Sequence, residues 1–132
     1  MTRVAGTHFY LAPEYALYAQ LTYKSDVYSF GVVVLEIISD RKALDTSLES
    51  AFDYLITDWA WALVKAGKAI EVIDERIRHS GPVELMVRFF SVGILCAHIM
   101  VAYRPMIAES LKMLEGDMET PKMPDRLVPM MQ

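Results

Sequence analysis

The sequence predicts an all-α fold built around one central apolar helix. Apolar side chains recur at the three-to-four-residue spacing of a helix in several segments of the chain. Residue types that favour helix ends stand beside these segments, including a serine before one and glycines after two others. The predicted helical segments are 26–38, 51–66, 83–97 and 105–116.

The first 24 residues are predicted to form an irregular loop, because Gly6 and Pro13 interrupt regular structure there. A short helix is expected at the end of this loop, near residues 14–17. Ser25 then provides a favourable helix N-cap, and Asp26 places a negative charge in a first helical turn. These two residues indicate that a longer helix starts here.

The run from Val27 to Ile38 is the most apolar part of the chain. Three consecutive valines, 32–34, favour a strand by propensity alone. The length of the run and the cap before it favour a helix instead. A helix that is apolar on nearly every side must be buried on nearly every side. We therefore expect this helix at the centre of the fold, with the other elements packed around it.

The middle of the chain predicts a loop, a helix and a connector. Residues 39–50 are polar and are expected to form the loop. The helix at 51–66 ends at Gly67, which suits a C-terminal cap. Its apolar positions are Phe52, Leu55, Ile56, Trp59 and Leu63. The connector, 68–82, is predicted to contain a short turn of structure around residues 70–73.

Two more helices and a tail complete the predicted fold. The helix at 83–97 carries an apolar face formed by Met86, Phe89, Phe90, Gly93 and Ala97. Pro105 suits the first position of the last helix, and Gly116 suits its end. The buried stripe of that helix is predicted to be Ile107, Leu111 and Leu114. Three prolines after Gly116 predict an extended tail.

Composition excludes several classes of function. The 13 basic and 17 acidic residues give a net charge of -4, which provides no basic surface for nucleic acid. The single cysteine, Cys96, excludes an internal disulfide and is expected to be a buried thiol. We see no signal-peptide core, and 27–38 is shorter than the ~20 residues that span a bilayer. The three histidines, His8, His79 and His98, lack metal-ligand spacing.

Three patterns appear in a fixed order along the chain: Gly6-Thr7-His8-Phe9-Tyr10-Leu11-Ala12-Pro13-Glu14, then Lys24-Ser25-Asp26-Val27-Tyr28-Ser29-Phe30-Gly31, then Arg104-Pro105. Together they resemble the activation-segment end, central helix and closing helix of eukaryotic protein kinases. The residues at these positions most resemble those of plant receptor-like serine/threonine kinases. The resemblance implies a partial kinase C-lobe of about four to five helices around the central helix. Residues 1–116 are thus interpreted as a partial kinase domain and 117–132 as an extended Pro-containing tail.

The resemblance also implies roles for individual residues. Glu14 and Arg104 correspond to a structural ion pair that would hold the activation segment to the helical lobe; two surface charges are the alternative. Asp26 would bond the catalytic loop, or act only on the helix dipole. Thr2 would be a phosphorylation site, or a plain loop threonine. The residues that resemble the substrate loop are Thr7, Phe9, Tyr10 and Leu11.

Phosphoryl transfer needs parts that this sequence does not contain. A phosphate-binding Gly-x-Gly-x-x-Gly loop, the strand lysine, the His-Arg-Asp catalytic loop and the Asp-Phe-Gly metal site are all absent. We therefore predict that the chain alone is inactive and has no catalytic residue. ATP and magnesium would bind only in the parent kinase. A non-catalytic helical interaction module is the alternative function.

The resemblance to receptor-like kinases also implies which partners the chain would have and where it would be located. The partner would be a protein substrate or the missing half of the kinase lobe, with no nucleic acid and no membrane contact. The expected location is the cytoplasm. The parent would lie at the plasma membrane, with its kinase domain inside the cell.

Departures from the family pattern affect the substrate pocket and two glycine positions. Phe9 stands where receptor-like kinases usually have glycine, and Ala19 and Asp40 also replace usual glycines. A non-glycine residue at a position of positive φ costs about 1 kcal/mol or more. Tyr103, before Arg104, is bulkier than the usual residue.

Overall fold

The computed structural model describes residues 12–13, 22–44 and 55–121. Within these ranges the chain forms five α-helices: α1 Tyr23–Ser39, α2 Ile56–Lys65, α3 Glu75–Arg78, α4 Val83–Cys96 and α5 Ile107–Glu115. Two 3₁₀ turns lie between them, at Ala69–Val72 and Val101–Tyr103. The described residues form no β-strand, apart from one isolated antiparallel bridge between Leu44 and Leu55. The all-α prediction is confirmed.

Helix α1 is the central helix, but it begins earlier than predicted. Thr22, not Ser25, is its N-cap, and the Thr22 backbone N–H donates to the Ser25 hydroxyl at 3.2 Å. Ser25 is therefore the third residue of a capping box rather than the cap itself. The helix ends at Asp40, which adopts the left-handed conformation at φ 56°. The strand alternative for the three valines is wrong, since all three lie within α1.

The burial of α1 differs from the prediction. Val27, Tyr28, Val32, Leu35 and Ile38 are buried, as expected for a central helix. The opposite side is open to solvent, because Val33 is 42% exposed and Ile37 is 70% exposed. The expectation of burial on nearly every side is therefore wrong within the described part of the chain.

Helices α1 and α4 form the main packing pair of the fold, and they approach most closely where two glycines meet. A Cβ placed on Gly31 would lie 2.5 Å from the carbonyl oxygen of Gly93. A Cβ on Gly93 would lie 3.0 Å from a methyl group of Val34. The backbones touch at this crossing, so neither position has ordinary room for a side chain.

The core forms two adjoining clusters. The larger one brings together buried side chains from α1, α2, α4 and the connector, among them Val32, Leu35, Ile56, Ile73 and Phe90. Ala12 belongs to the same cluster, so the segment before α1 reaches the core. The smaller cluster joins α5 to α1 and α4 through Val27, Val92, Leu95, Cys96 and Met113.

Two of the three residues predicted to form the buried stripe of helix α5 are exposed, and only Leu114 packs against the core. It begins at Ile107 with Met106 as its N-cap, so Pro105 precedes the helix instead of opening it. Ser110 and Met113 face the core. Ile107 is 49% exposed, Leu111 is 53% exposed and Leu114 is half-buried. Gly116 does end the helix, at φ 87°.

The helix predicted at 51–66 begins only at Ile56, because Leu55 has an extended backbone and pairs with Leu44; residues 51–54 lie outside the described residues. The other elements agree with the prediction in place, with small changes of extent. Gly67 follows α2 at φ 77°, consistent with its predicted role at the helix end. The expected turn near 70–73 is the 3₁₀ turn at Ala69–Val72, and α4 ends one residue before the predicted end at 97. Helix α3 in the connector was not predicted.

The ends of the loop after α1 are joined to one another. The Leu44–Leu55 bridge is reinforced by the backbone N–H of Ile56, which donates to the carbonyl of Ala43 at 3.1 Å. The N–H of Ala43 in turn donates to the Glu36 carboxylate at 2.9 Å. The two sides of this loop are thereby fixed to the C-terminal part of α1.

Candidate functional site

The candidate site is built around the guanidinium of Arg104, which lies between the second 3₁₀ turn and α5. Arg104 is only 1% exposed. Its Nε donates to the carbonyl of His98 at 2.7 Å, and its two terminal nitrogens donate to the carbonyls of Lys24 at 2.9 Å and Ile99 at 3.3 Å. The planar fork thus ties the start of α1 to the segment before α5.

Lys24 and Tyr28 complete this arrangement from α1. The Lys24 ammonium donates to the backbone carbonyl of Arg104, so each residue of the pair binds the other's carbonyl. The Arg104 guanidinium also lies 5.0 Å from the centre of the Tyr28 ring, which gives a cation–π contact. Two cations share this region, an arrangement that favours a nearby carboxylate.

His98 has a structural position beside Arg104. Its side chain is fully buried, and its Nδ1 accepts the backbone N–H of Met100 at 2.9 Å. Its ring meets that of Tyr103 edge-on, with centres 4.9 Å apart. Across 12–13, 22–44 and 55–121 no three His, Cys, Asp or Glu residues form a group that could hold a metal ion.

Asp26 lies in the first turn of α1 with its side chain exposed. A carboxylate there is favoured by the positive end of the helix dipole. The described residues do not include a catalytic loop for it to bond, so its family role stays a prediction.

The other residues singled out in the sequence lie outside the described residues. They are Thr2, Thr7, Phe9, Tyr10, Leu11 and Glu14. Among the predicted site residues, the structure therefore places only Arg104 and Asp26, and the Glu14–Arg104 pair stays a prediction. The predicted tail after Gly116 is described only as far as Pro121.

Cys96 is a buried thiol at the end of α4, as the sequence predicted. Its Sγ lies 3.4 Å from the Ser110 hydroxyl. Burial raises the pKa of the Cys96 thiol above its ordinary value, although the Ser110 hydrogen bond acts in the opposite direction. A thiol that is neutral and enclosed in this way is poorly suited to nucleophilic chemistry.

A second polar cluster joins the end of α1 to α3. The Arg76 guanidinium bonds the carboxylates of both Asp40 and Asp74. Asp74 caps α3 by accepting the Arg76 backbone N–H at 3.2 Å, and its own N–H donates to Ile38 at 2.9 Å. The hydrogen bonds from Arg76 lower the pKa of Asp74, so this contribution to stability is present at neutral pH and lost in acid.

Lys24 is the residue of this site that sequence reasoning missed. It stands inside the pattern Lys24-Ser25-Asp26 but received no role, since a lone lysine before a helix carries no signal of its own. The link became visible only when the fold placed Lys24 against a residue 80 positions later.

The comparison with known proteins decides the family. The family model for protein tyrosine and serine/threonine kinases matches residues 3–114. This chain belongs to the protein kinase family. The predicted partial C-lobe agrees with the fold and with the matched range.

Relatives place the chain among receptor-like kinases. A receptor-like protein kinase of Arabidopsis thaliana is 62% identical over 136 residues, which cover 98% of this chain and 22% of the relative. An LRR receptor-like serine/threonine-protein kinase of the same plant is 45% identical over 130 residues, covering 98% and 21%. The chain thus spans about a fifth of the length of these relatives. These matches confirm the predicted receptor-like serine/threonine kinase family.

A solved structure supports the same placement. The pseudokinase domain of BIR2, an immune regulator of the RLK/Pelle family, superposes with a TM-score of 0.67 and 28% sequence identity. The superposition covers 82% of this chain and 32% of that one. In the described ranges, no helix is both long enough and apolar enough to cross a membrane.

Proposed function

We propose that this chain supplies the helical C-lobe scaffold and the substrate loop of a receptor-like serine/threonine kinase. The whole domain would transfer the γ-phosphate of ATP to serine or threonine in a protein substrate. The chain alone would not catalyse this reaction, because the phosphate cradle, the lysine, the metal ligands and the catalytic Asp are not among its residues. ATP and magnesium would be held by the rest of the domain.

The buried position of Arg104 is the observation that carries the proposal. Three carbonyls hold its guanidinium in place, and a buried guanidinium is best stabilised by a carboxylate that binds it in two parallel hydrogen bonds. Glu14 is the proposed counter-ion. Ala12 lies in the same core cluster as Tyr28, whose ring contacts Arg104. Ala12 stands two positions before Glu14 in the sequence, which supports this choice of counter-ion.

The ion pair is tested by its effect on stability. We expect Glu14→Ala to lower the free energy of unfolding by about 3–5 kcal/mol, since it would strand a buried cation. Replacing Glu14 in a chain that already carries Arg104→Met should cost much less, because no buried charge remains to be stranded. The urea unfolding midpoints of the four proteins give both values. An equal loss of unfolding free energy with and without Arg104 would refute the proposed ion pair.

The substrate loop is the second part of the proposal. Thr7 would help to position the attacking hydroxyl, and Phe9, Tyr10 and Leu11 would line the pocket beside it. Thr2 is the proposed phosphorylation site, where a phosphate would bind a basic residue of the complete domain. Asp26 would bond the catalytic loop of that domain.

Phosphate transfer is the direct test. The purified chain should transfer no label from radioactive ATP, whereas the chain joined behind the upstream kinase segment of the 62%-identical relative should be active. In that joined protein, we expect Thr7→Val to reduce kcat by about 10²-fold or more, and Thr7→Ser to retain most activity. Transfer by the purified chain alone, with contaminating kinase excluded, would refute the first claim. Equal activity of the two variants would refute the second.

A non-catalytic interaction module is the second candidate. It is favoured by the open apolar side of α1, where Val33 and Ile37 lie one turn apart. Such a surface often marks a partner site. Size-exclusion chromatography with light scattering separates the candidates. A defined complex with another protein would support the module, and a monodisperse monomer without dye-binding apolar surface would remove it.

The proposed location follows from the kinase assignment. The chain would act in the cytoplasm as part of a parent kinase at the plasma membrane. Its partner would be a protein substrate or the rest of the kinase lobe, and the chain itself would contact neither membrane nor nucleic acid.

A further inference from the structure

Lys24 and Arg104 form a reciprocal contact between the start of α1 and the segment before α5. The Lys24 ammonium donates to the backbone carbonyl of Arg104, and a terminal nitrogen of Arg104 donates to the backbone carbonyl of Lys24 at 2.9 Å. The two residues are 80 positions apart in the sequence. Each side chain therefore holds the backbone of the other residue, and neither contact is a consequence of local structure.

The buried Arg104 carbonyl receives its donor from a distant part of the chain. Helix α5 begins only at Ile107, so this carbonyl lies before the hydrogen-bond ladder of the helix. Arg104 itself has an extended backbone, with ψ 132°. The Lys24 ammonium supplies a charge-assisted hydrogen bond, which is stronger than a bond between neutral groups. Lys24 thereby fixes the backbone from which the Arg104 side chain extends.

Helix α1 presents Lys24 and Tyr28 on the same face, because they are four residues apart in the helix. The Tyr28 ring centre lies 5.0 Å from the Arg104 guanidinium, and Lys24 binds the Arg104 carbonyl. One face of α1 thus holds Arg104 at two points. Lys24 acts on its backbone, and Tyr28 acts on its guanidinium.

Apolar packing gives the backbone before Arg104 little support. In the described ranges, α5 packs chiefly against α4 rather than α1. The second 3₁₀ turn, Val101–Tyr103, consists of exposed residues. Segments with few buried contacts open easily unless polar contacts hold them. The Lys24 ammonium is therefore in a position to determine how firmly this backbone is held.

We propose that Lys24 is a positioning residue, which holds the backbone at Arg104 and so fixes the direction of the buried guanidinium. Under the proposed function, Arg104 anchors the substrate loop through Glu14, and Lys24 acts on substrate binding through Arg104. That consequence rests on the proposed function, whereas the contact between Lys24 and Arg104 does not.

Amide hydrogen exchange of the full chain, resolved by NMR, tests the positioning. The backbone N–H of Arg104 donates to the carbonyl of Val101 at 3.1 Å and reports on this segment. Lys24→Met keeps most of the side chain but removes the donor, so exchange at Arg104 should rise about tenfold or more. Lys24→Arg restores a donor and should return most of the protection. Lys68→Met makes the same change at an exposed lysine and should leave this exchange unchanged.

The Asp74 amide is the reference for general unfolding. Its N–H donates to the carbonyl of Ile38 at 2.9 Å, and Ile38 lies about 21 Å along α1 from Lys24. An equal rise at Arg104 and Asp74 in Lys24→Met would report a loss of stability of the whole chain and overturn the proposal. A rise at Arg104 below about twofold would also overturn it, as would a Lys24→Arg protein that exchanges as fast as Lys24→Met.

The consequence for function is tested in the kinase joined from this chain and the upstream segment of the 62%-identical relative. Lys24→Met and Glu14→Ala should both raise KM for a protein substrate about tenfold and change KM for ATP by less than about twofold. A rise in Glu14→Ala alone would overturn the role of Lys24 and leave the proposed ion pair intact. If neither variant raises that KM while exchange at Arg104 responds to Lys24→Met, the proposed function of the pair fails and the positioning by Lys24 stands.

Discussion

The crossing of α1 and α4 allows a sharp prediction for Gly31→Ala. The new methyl carbon would lie 2.5 Å from the Gly93 carbonyl oxygen, 2.9 Å from the Ala97 nitrogen and 2.9 Å from the Cys96 Cβ. Ordinary contact begins near 3.4 Å, so the closest approach is about 0.9 Å too short. All three atoms are part of the backbone or fixed to it, and no side-chain rotation can relieve the overlap. The two helices would have to separate.

Two opposing effects set the magnitude of this change. Alanine is a better helix former than glycine by about 1 kcal/mol, which would stabilise α1. Overpacking a close contact costs about 1–3 kcal/mol, and rigid backbone neighbours place Gly31 at the upper end of that range. We therefore expect Gly31→Ala to lower the free energy of unfolding by about 1–2 kcal/mol net.

Urea unfolding followed by the fluorescence of Trp59 and Trp61 measures this loss. Gly81→Ala is the matched control, because its Cβ would meet only the mobile end of Met86 at 3.5 Å; we expect it to change stability by less than about 0.5 kcal/mol. Gly93→Ala should fall between the two, since its first neighbour is a side chain of Val34. A Gly31→Ala protein as stable as the unchanged chain would refute the close-packing argument.

Three further predictions concern α1 and Cys96. Leu35→Ala should lower the free energy of unfolding by about 2–5 kcal/mol, because Leu35 is buried. Ile37→Ala should lower it by less than about 0.5 kcal/mol, because Ile37 is exposed. Similar losses in urea unfolding would contradict the observed orientation of α1. Asp40→Gly should be about 1 kcal/mol more stable than Asp40→Ala, because only glycine adopts φ 56° without strain, and equal thermal midpoints would contradict this. Burial raises the pKa of Cys96, so its stabilising contribution is present below the ordinary thiol pKa and declines as pH rises above it. Iodoacetamide should modify Cys96 far more slowly in the native chain at pH 8 than in urea, as mass spectrometry would show, and equal rates would exclude the buried thiol.

The sequence predicted the number and order of the main helices because their apolar spacing and end residues agree. Gly67 and Gly116 both follow a helix at positive φ, where glycine carries no steric cost. Asp40, identified as standing at a usual glycine position, also has positive φ. These positions depend on local backbone chemistry, which is readable without knowledge of tertiary contacts.

The face of α5 could not be predicted in the same way. Its most apolar residues, Ile107 and Leu111, point to solvent, whereas the polar Ser110 is buried. The Ser110 hydroxyl is accommodated because it donates to the carbonyl of Met106 at 3.0 Å and lies near the Cys96 sulfur. Hydrophobic periodicity does not detect a buried serine that is satisfied by hydrogen bonds.

The candidate site was predicted in part. Arg104 was selected from its place in a family pattern, and the structure shows that its side chain is buried, as a structural role requires. Its partners His98, Ile99 and Lys24 contribute backbone carbonyls. Any residue type has such a carbonyl, so no sequence pattern can indicate which ones a distant guanidinium will bind.

The joined ends of the loop after α1 make this part of the chain a suitable place for an inserted sequence. Because Leu44 and Leu55 are already held together, residues added between them would leave the helices on either side in register. Doubling the length of such a closed loop costs only about 0.6 kcal/mol of chain entropy. An affinity tag or a fluorescent reporter could therefore be carried at this position while both chain ends remain free for fusion to the rest of a kinase.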